Sequence, residues 1–199
     1  MRLRKGQKPE KRLAHLWNEA NCTSCGACIV ACNTTNYPEM LHRGDKGHDW
    51  LASNITRIET ETDSGQPKLL LNQCQHCEDA PCVETCPFGA VYYDTNGLVR
   101  IDDKLCIGCS YCMAACPYDV RWKHPDTGLP SKCMGDGCLD LVASGHQPAC
   151  VSACPANARD FGDLNDPKSS IAQQLNSKSH RVQLKEKGTD PKFFIVEEA

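Results

Sequence analysis

No run of apolar residues in this 199-residue chain approaches the roughly 18 to 20 needed to cross a bilayer, so any membrane contact is expected through a partner. The start, MRLRKGQKPEKRLAHLWNEAN, is basic but holds no apolar stretch long enough for the h-region of a signal peptide. Lys11-Arg12 lacks the rest of a twin-arginine signal, so export on a signal of its own is not expected. Aromatic residues make up only 6% of the chain, and leucine, isoleucine and valine are too sparse for a large apolar core. Something other than burial must therefore hold the fold. A sustained basic patch with interleaved aromatics is also missing, and the net charge is -3, which argues against a nucleic-acid partner.

What is abundant is cysteine: sixteen, all between positions 22 and 154. A disulfide scaffold would suit a core-poor chain, but such scaffolds belong chiefly to small secreted domains that carry a signal peptide. The cysteines fall instead into four groups of four. Cys22, Cys25, Cys28 and Cys32 in CTSCGACIVAC have gaps of two, two and three residues. Cys74, Cys77, Cys82 and Cys86 in CQHCEDAPCVETCP have gaps of two, four and three. Cys106, Cys109, Cys112 and Cys116 in CIGCSYCMAACP repeat two, two and three, and Cys133, Cys138, Cys150 and Cys154 stretch to four, eleven and three.

In every group the last two cysteines are four apart, and three groups end in Cys-Pro. On a helix that spacing stacks two side chains on one face, a turn apart. Three thiols from a loop can then share one centre while the fourth points to a neighbouring one. This is the bacterial ferredoxin arrangement, in which the fourth cysteine ligates the other cluster of a pair. Thiolates are soft anionic ligands suited to an iron-sulfur cage. Small residues such as Gly26, Ala27, Gly108 and Ser110 let the backbone close around it. Zinc uses two paired hooks per ion and has no use for a third cysteine three residues on, although the irregular spacing of the fourth group leaves zinc open there. His76 is read as supporting a ligand or lying on the surface, Met113 and Met134 as space-filling, and Trp122 and Tyr118 as packing over a cluster.

Between the second and third groups, AVYYDTNGLVRID predicts a hairpin turning at Asn96-Gly97, which makes those groups a compact pair. The first and fourth groups flank it, which favours a nested pairing of one with four; sequential pairing is the alternative that spacing leaves open. Residues 33 to 73 form the longest cysteine-free insert, with NYPEMLHRGDKGHDW reading as a loop and ITRIETET as an edge strand. DPKSSIAQQLN predicts a short helix capped by Asp166 with Pro167 at its first position, and KFFIVEEA an apolar strip that docks on this chain or another.

These motifs, with Lys132-Cys133, PACVSACPANARDFGDL and the closing KGTDPKFFIV, make the chain resemble over nearly its whole length the four-cluster iron-sulfur subunits of the molybdenum or tungsten bis-pterin oxidoreductases, the type found with dimethyl sulfoxide, polysulfide, thiosulfate, tetrathionate and arsenate reductases and some formate dehydrogenases. The resemblance implies an α+β fold: one ferredoxin-like unit from residues 1–35 and 125–165, a second from 66–124, an insert at 36–65, and a partner-docking extension at 166–199. It also implies four [4Fe-4S] clusters on nested ligand sets: Cys22, Cys25, Cys28 with Cys154; Cys133, Cys138, Cys150 with Cys32; Cys74, Cys77, Cys82 with Cys116; and Cys106, Cys109, Cys112 with Cys86. Two departures stand out. Relatives usually open the fourth group with C-x2-C, whereas MGDG separates Cys133 from Cys138, and about twenty residues precede the first cysteine where many relatives begin with the motif.

The implied function is a wire that passes single electrons between a molybdopterin catalytic subunit and a quinone-reactive membrane subunit or cytochrome, as in anaerobic respiration, with no catalytic residue of its own. The periplasmic face of the inner membrane is expected, by co-export with a partner; the cytoplasm is the alternative. Competing readings are a cytoplasmic polyferredoxin-type subunit of a formate dehydrogenase or hydrogenase complex, and a colourless zinc-structured module. Each cluster with four thiolates carries about -2, so four add roughly -8 to the -3 of the chain. Lys132, Arg121, Lys123, Lys104 and Arg100 lie close to ligands in sequence, and some are expected to offset that charge.

Overall fold

The computed structural model describes residues 2–3, 7–41, 52–61, 65 and 67–197. Its elements run, in sequence order, β1 (Leu13–Asn18), α1 (Ala27–Asn36), β2 (Ile55–Glu61), β3 (Pro67–Gln73), α2 (Pro81–Glu84), β4 (Val91–Tyr93), β5 (Val99–Ile101), α3 (Tyr111–Ala114), β6 (Trp122–Lys123), β7 (Pro130–Ser131), α4 (Asp136–Ala143), α5 (Ala149–Ser152), β8 (Arg159–Asp163), α6 (Ser170–Ser177), β9 (His180–Val182) and β10 (Phe193–Val196). The mixture of short helices and strands is α+β. Long elements are scarce because the cysteine loops interrupt a helix or strand before it can extend.

A four-stranded sheet in the order β8-β1-β10-β9 gathers the two ends of the sequence. β1 lies parallel to β10, with His15 opposite Phe193, and antiparallel to β8, with Leu16 opposite Asp160. All six residues of β1 are buried, as expected of a strand covered on both sides. The apolar strip of the C-terminus docks on this chain: Phe193, Ile195 and Val196 are fully buried beside β1. β4 and β5 form the hairpin expected at Asn96-Gly97. Asp94 Oδ1 accepts from the N–H groups of Asn96 and Leu98, and Gly97 has φ +74°, with Lys11 O only 3.0 Å from where a Cβ would sit. A side chain there would meet both a left-handed backbone and a clash.

The strand expected at ITRIETET is β2, which pairs antiparallel with β3 alone. The preceding loop, expected across residues 36–50, lies outside the described residues beyond residue 41. The helix near the C-terminus starts later than expected. Its cap is Ser169, whose hydroxyl accepts from Ala172 N–H, whereas Asp166 Oδ1 accepts from Lys168 N–H in the turn before it. Ser169, three residues after Asp166, has the extended backbone an N-cap needs.

Cysteine supplies much of the interior. One buried cluster joins Leu13, Leu98, Val99 and Phe161 to Cys74, Cys77, Cys82, Cys112, Cys133 and Cys138, six of its sixteen members. It runs without a break across the division expected near residue 124. A second joins Trp17, Ile55, Phe193 and Ile195 to Cys28, Cys32 and Cys150. A third, around Leu16, Ile171 and Val196, holds no cysteine and seats α6 on the sheet. Phe193→Ala should cost about 3–5 kcal/mol, because the cavity would open at the centre of the sheet. A lowered urea midpoint for unfolding of the intact protein checks this, with a smaller effect expected from the half-buried Phe194.

Candidate metal centres

In the first three groups a cysteine loop leads into a helix, and in the fourth α4, which carries Cys138, comes between Cys133 and Cys150; left-handed residues shape the loops. In the first, Ser24 (φ +55°) and Gly26 (φ +78°) flank Cys25; in the third, Gly108 (φ +70°) and Ser110 (φ +66°) flank Cys109. Such residues curl the backbone and turn successive N–H groups toward one point, which makes an anion-binding nest. Cys25 feels this: the backbone N–H of Ala27 and the Thr23 side chain hold its thiol below the usual range. The third cysteine of each group then sits on a helix, with Cys28 on α1, Cys82 on α2, Cys112 on α3 and Cys150 on α5. Cys32 is on α1 too, whereas Cys86, Cys116 and Cys154 follow the end of theirs.

The folded loops assemble cysteines from different groups. Cys22, Cys25, Cys28 and Cys154 line one cavity with Trp17, Leu71, Ala158 and Arg159; we call these the first set. Cys74, Cys77, Cys82 and Cys116, here the third set, line another with Val99, Tyr118 and Arg121. Cys86, Cys106, Cys109 and Cys112, the fourth set, line another with Phe88, Ile107 and Tyr111. The remaining four, Cys32, Cys133, Cys138 and Cys150, are all buried, and we call them the second set. Burial drives the Cys133 thiol well above its usual range, and the neighbouring charges of Cys150, Cys32, Cys74 and Cys138 push the same way. Burial also pushes Cys32 up to about 11 and Cys77 up to about 12.

Asn36 organises the second set. Its Nδ2 donates to Cys138 Sγ at 3.3 Å and reaches Cys32 Sγ at 3.6 Å, while its Oδ1 accepts from Cys138 N–H at 3.0 Å. The extra residues between Cys133 and Cys138 therefore pass over the end of α1, and two glycines let them. A Cβ on Gly137 would lie 2.1 Å from Thr35 O, and one on Gly135 2.6 Å from Asn36 Oδ1. Backbone amides add donors: Asn54 N–H to Cys32 Sγ and Ala158 N–H to Cys154 Sγ, both at 3.3 Å.

Of the residues singled out beside the ligands, His76 is buried with φ +45°, and its Nδ1 accepts from Val99 N–H. Tyr118 packs over the third set and meets Thr189 through its hydroxyl, and Met134 is buried filler. Trp122 packs edge-on against Tyr37 and donates to Asn54. Lys132 and Arg121 are buried, Lys123 and Lys104 are exposed, and Arg100 faces Asp94 and Asp136. Three residues went unnoticed in the sequence. Asn36 lies one helical turn after Cys32, a spacing that could have flagged it. His15, whose Nε2 is 3.7 Å from Cys133 Sγ, and Arg159 on β8 carry no such signal. Burial, helped by Arg159, lowers His15 to about 3, so it is a neutral ring.

Whether these residues fit iron-sulfur cages can be tested on spacing. Four thiolates on one zinc at about 2.3 Å would lie about 3.8 Å from one another. Among the described residues no three cysteine sulfurs come within 4.8 Å of each other; the one such trio of candidate ligand atoms is His15, His76 and Cys133. None of the sixteen thiols is in a disulfide. Three sulfur-only quartets that each line a cavity, with no three sulfurs close enough to share one zinc, fit a cage. The Trp17 indole N–H beside the first set, buried without a protein acceptor, fits it as well.

Comparison with known proteins agrees. The 4Fe-4S dicluster domain family matches residues 67–164. The sequence is 40% identical over 197 residues to a protein named as a homolog of NrfC from Haemophilus influenzae, covering 96% of this chain and 82% of that one. It is 38% identical over 191 residues to the B component of the polysulfide reductase of Wolinella succinogenes, covering 94% of each. It is 42% identical over 156 residues to the thiosulfate reductase electron transfer subunit PhsB of Salmonella typhi, covering 76% of each.

Two substitutions test the second set. Asn36→Leu should lower the midpoint potential of one cluster signal, because hydrogen bonds to sulfur favour the reduced form, and should cost about 1–3 kcal/mol for the stranded amide; a potentiometric titration followed by electron paramagnetic resonance (EPR) reads the shift. Gly137→Ala should cost about 1–3 kcal/mol or more from the backbone clash, seen as lower iron content at matched protein concentration.

Proposed function

This protein belongs to the iron-sulfur electron-transfer subunits of the molybdopterin oxidoreductases, and on that premise we propose that its sixteen cysteines hold four [4Fe-4S] clusters, one per set. The observation that carries this reading is that cysteines of different groups line three shared cavities, while Cys32, Cys133, Cys138 and Cys150 are all buried and Asn36 bridges Cys32 to Cys138. When bound, each cluster takes up and gives up one electron with little rearrangement.

The residues of the chain do the rest. Cys22, Cys25, Cys28 and Cys154 anchor the first cage, Cys32, Cys133, Cys138 and Cys150 the second, Cys74, Cys77, Cys82 and Cys116 the third, and Cys86, Cys106, Cys109 and Cys112 the fourth. Trp17, Leu71, Val99 and Tyr118 keep water from the cages they line. His15 and His76 are buried and neutral and offer no acid or base to a substrate; the chain serves as a conductor within its complex.

Its partners are a large molybdopterin subunit and an electron carrier, a quinone-reactive membrane subunit or a cytochrome. Supporting this, two relatives are named as one component of a polysulfide or a thiosulfate reductase. No helix among the described residues is long and apolar enough to cross a membrane. The assembly works on the periplasmic face of the inner membrane, and protease accessibility of the chain in spheroplasts tests that side.

Protein purified without oxygen should contain about sixteen irons and as many sulfides per chain and should copurify with a large pterin-binding subunit. Colourless protein with bound zinc and no sulfide ends the reading.

A further inference from the structure

Each junction between successive cysteine sets holds one buried cation, and we propose that Arg159, Lys132 and Arg121 act as positioning charges, each raising the reduction potentials of the two clusters it lies between. This rests on the cluster reading above. The sets form a row: Cys28 of the first feels Cys150 of the second, and Cys133 of the second feels Cys74 of the third. Arg159 lies on the wall of the first set and also acts on Cys150 and Cys133 of the second. Lys132 precedes Cys133 of the second set, and its ammonium donates to the carbonyl of Val99, which lines the third set. Arg121 lies on the wall of the third set, against Cys82, Cys74 and Cys116, and acts on Cys112 of the fourth.

None of the three has a carboxylate partner among the described residues. Both terminal nitrogens of Arg121, and Nε and Nη1 of Arg159, are buried without a protein acceptor. Arg159 uses Nη2 on the Gln73 side chain, and Lys132 gives its ammonium protons to the carbonyls of Val99 and Cys133. Lys132 and Arg121 also repel each other. A buried charge without a counter-ion costs several kcal/mol even after relaxation, so three of them demand anions nearby, and the sulfur sets are the anions present. Burial works against the charge on all three; the surrounding sulfurs outweigh it in Arg121 and Arg159, whereas in Lys132 burial prevails.

A fixed positive charge stabilises an added electron on either neighbour, and it does so most strongly at short range in a dry interior. A cation between two clusters therefore moves both potentials together, which keeps the step between them small while the pair as a whole shifts. The three cations overlap. The second set borders Arg159 and Lys132, the third borders Lys132 and Arg121, and the first and fourth border one each.

That overlap is the test. Arg159→Gln, Lys132→Gln and Arg121→Gln would each be made in the intact complex and titrated potentiometrically with EPR detection, with iron and sulfide content as the control. At the wild-type midpoint, the reduced-to-oxidised ratio should fall at least tenfold, equivalent to 59 mV for one electron, for two of the four signals in each variant. One signal should move in both the Arg159 and Lys132 variants, another in both the Lys132 and Arg121 variants. Arg159→Lys, Lys132→Arg and Arg121→Lys should keep the wild-type potentials. Full iron with unmoved potentials, or a uniform shift of all four signals, overturns the proposal. So does loss of clusters from all three glutamine variants while the charge-keeping variants load normally, since the cations would then be structural. Wild-type protein without iron or sulfide would sink the cluster reading itself, a different failure.

Discussion

The fold depends on sulfur atoms that must meet across long stretches of sequence. Cys154 joins the three thiols of the first loop, Cys32 reaches the thiols of the fourth group, and Cys86 and Cys116 change places between the second and third. Each exchange fixes the position of one loop relative to another, a task that apolar packing performs in a chain richer in leucine and valine. The sheet answers the same need at the ends of the sequence. β1 and β10 lie side by side, and their Trp17, Phe193 and Ile195 pack with Cys28, Cys32 and Cys150. Metal binding and folding are therefore one process in such a protein, since the sites exist only when the loops have closed.

How much of this the sequence made legible depended on whether the signal was local. Cysteine spacing is local, so the groups and the turn of helix after each loop could be read directly, and so could the hairpin at Asn96-Gly97. The cap of α6 was also local but ambiguous, with Asp166 and Ser169 both good capping residues and only backbone geometry to choose between them. What could not be read was long-range. Arg159 matters because β8 runs antiparallel to β1 beside the first set, and His15 because it faces Cys133 from the middle of a buried strand. Nothing in LAHLWN distinguishes a histidine that touches a thiol from one that packs against an aromatic, and this one does both.

The wide spacing in the fourth group shows how a departure from a motif can carry structural sense. Between Cys133 and Cys138 the backbone has to clear the end of α1, and it approaches the Thr35 carbonyl too closely for any side chain at position 137. Asn36 fills the corner so formed, and its amide serves both the loop and the sulfurs. The added length thus does not loosen the site.

The two ends of the row of sets differ from its middle in how they treat charge. Cys25 and Cys109 are exposed, so the end sets can lean on water and on backbone N–H groups turned inward by left-handed residues. All four cysteines of the second set are buried, as are three of the third, and water is not at hand there. Anionic sulfur in such a place is tolerable only beside cations that are buried with it, and cations so buried are tolerable only beside the sulfur. The interior therefore holds the two in alternation, and each stabilises the other. The exposed sulfurs, Cys25 and Cys109, belong to the two end sets, whereas Cys116 is the one partly exposed cysteine of the middle two.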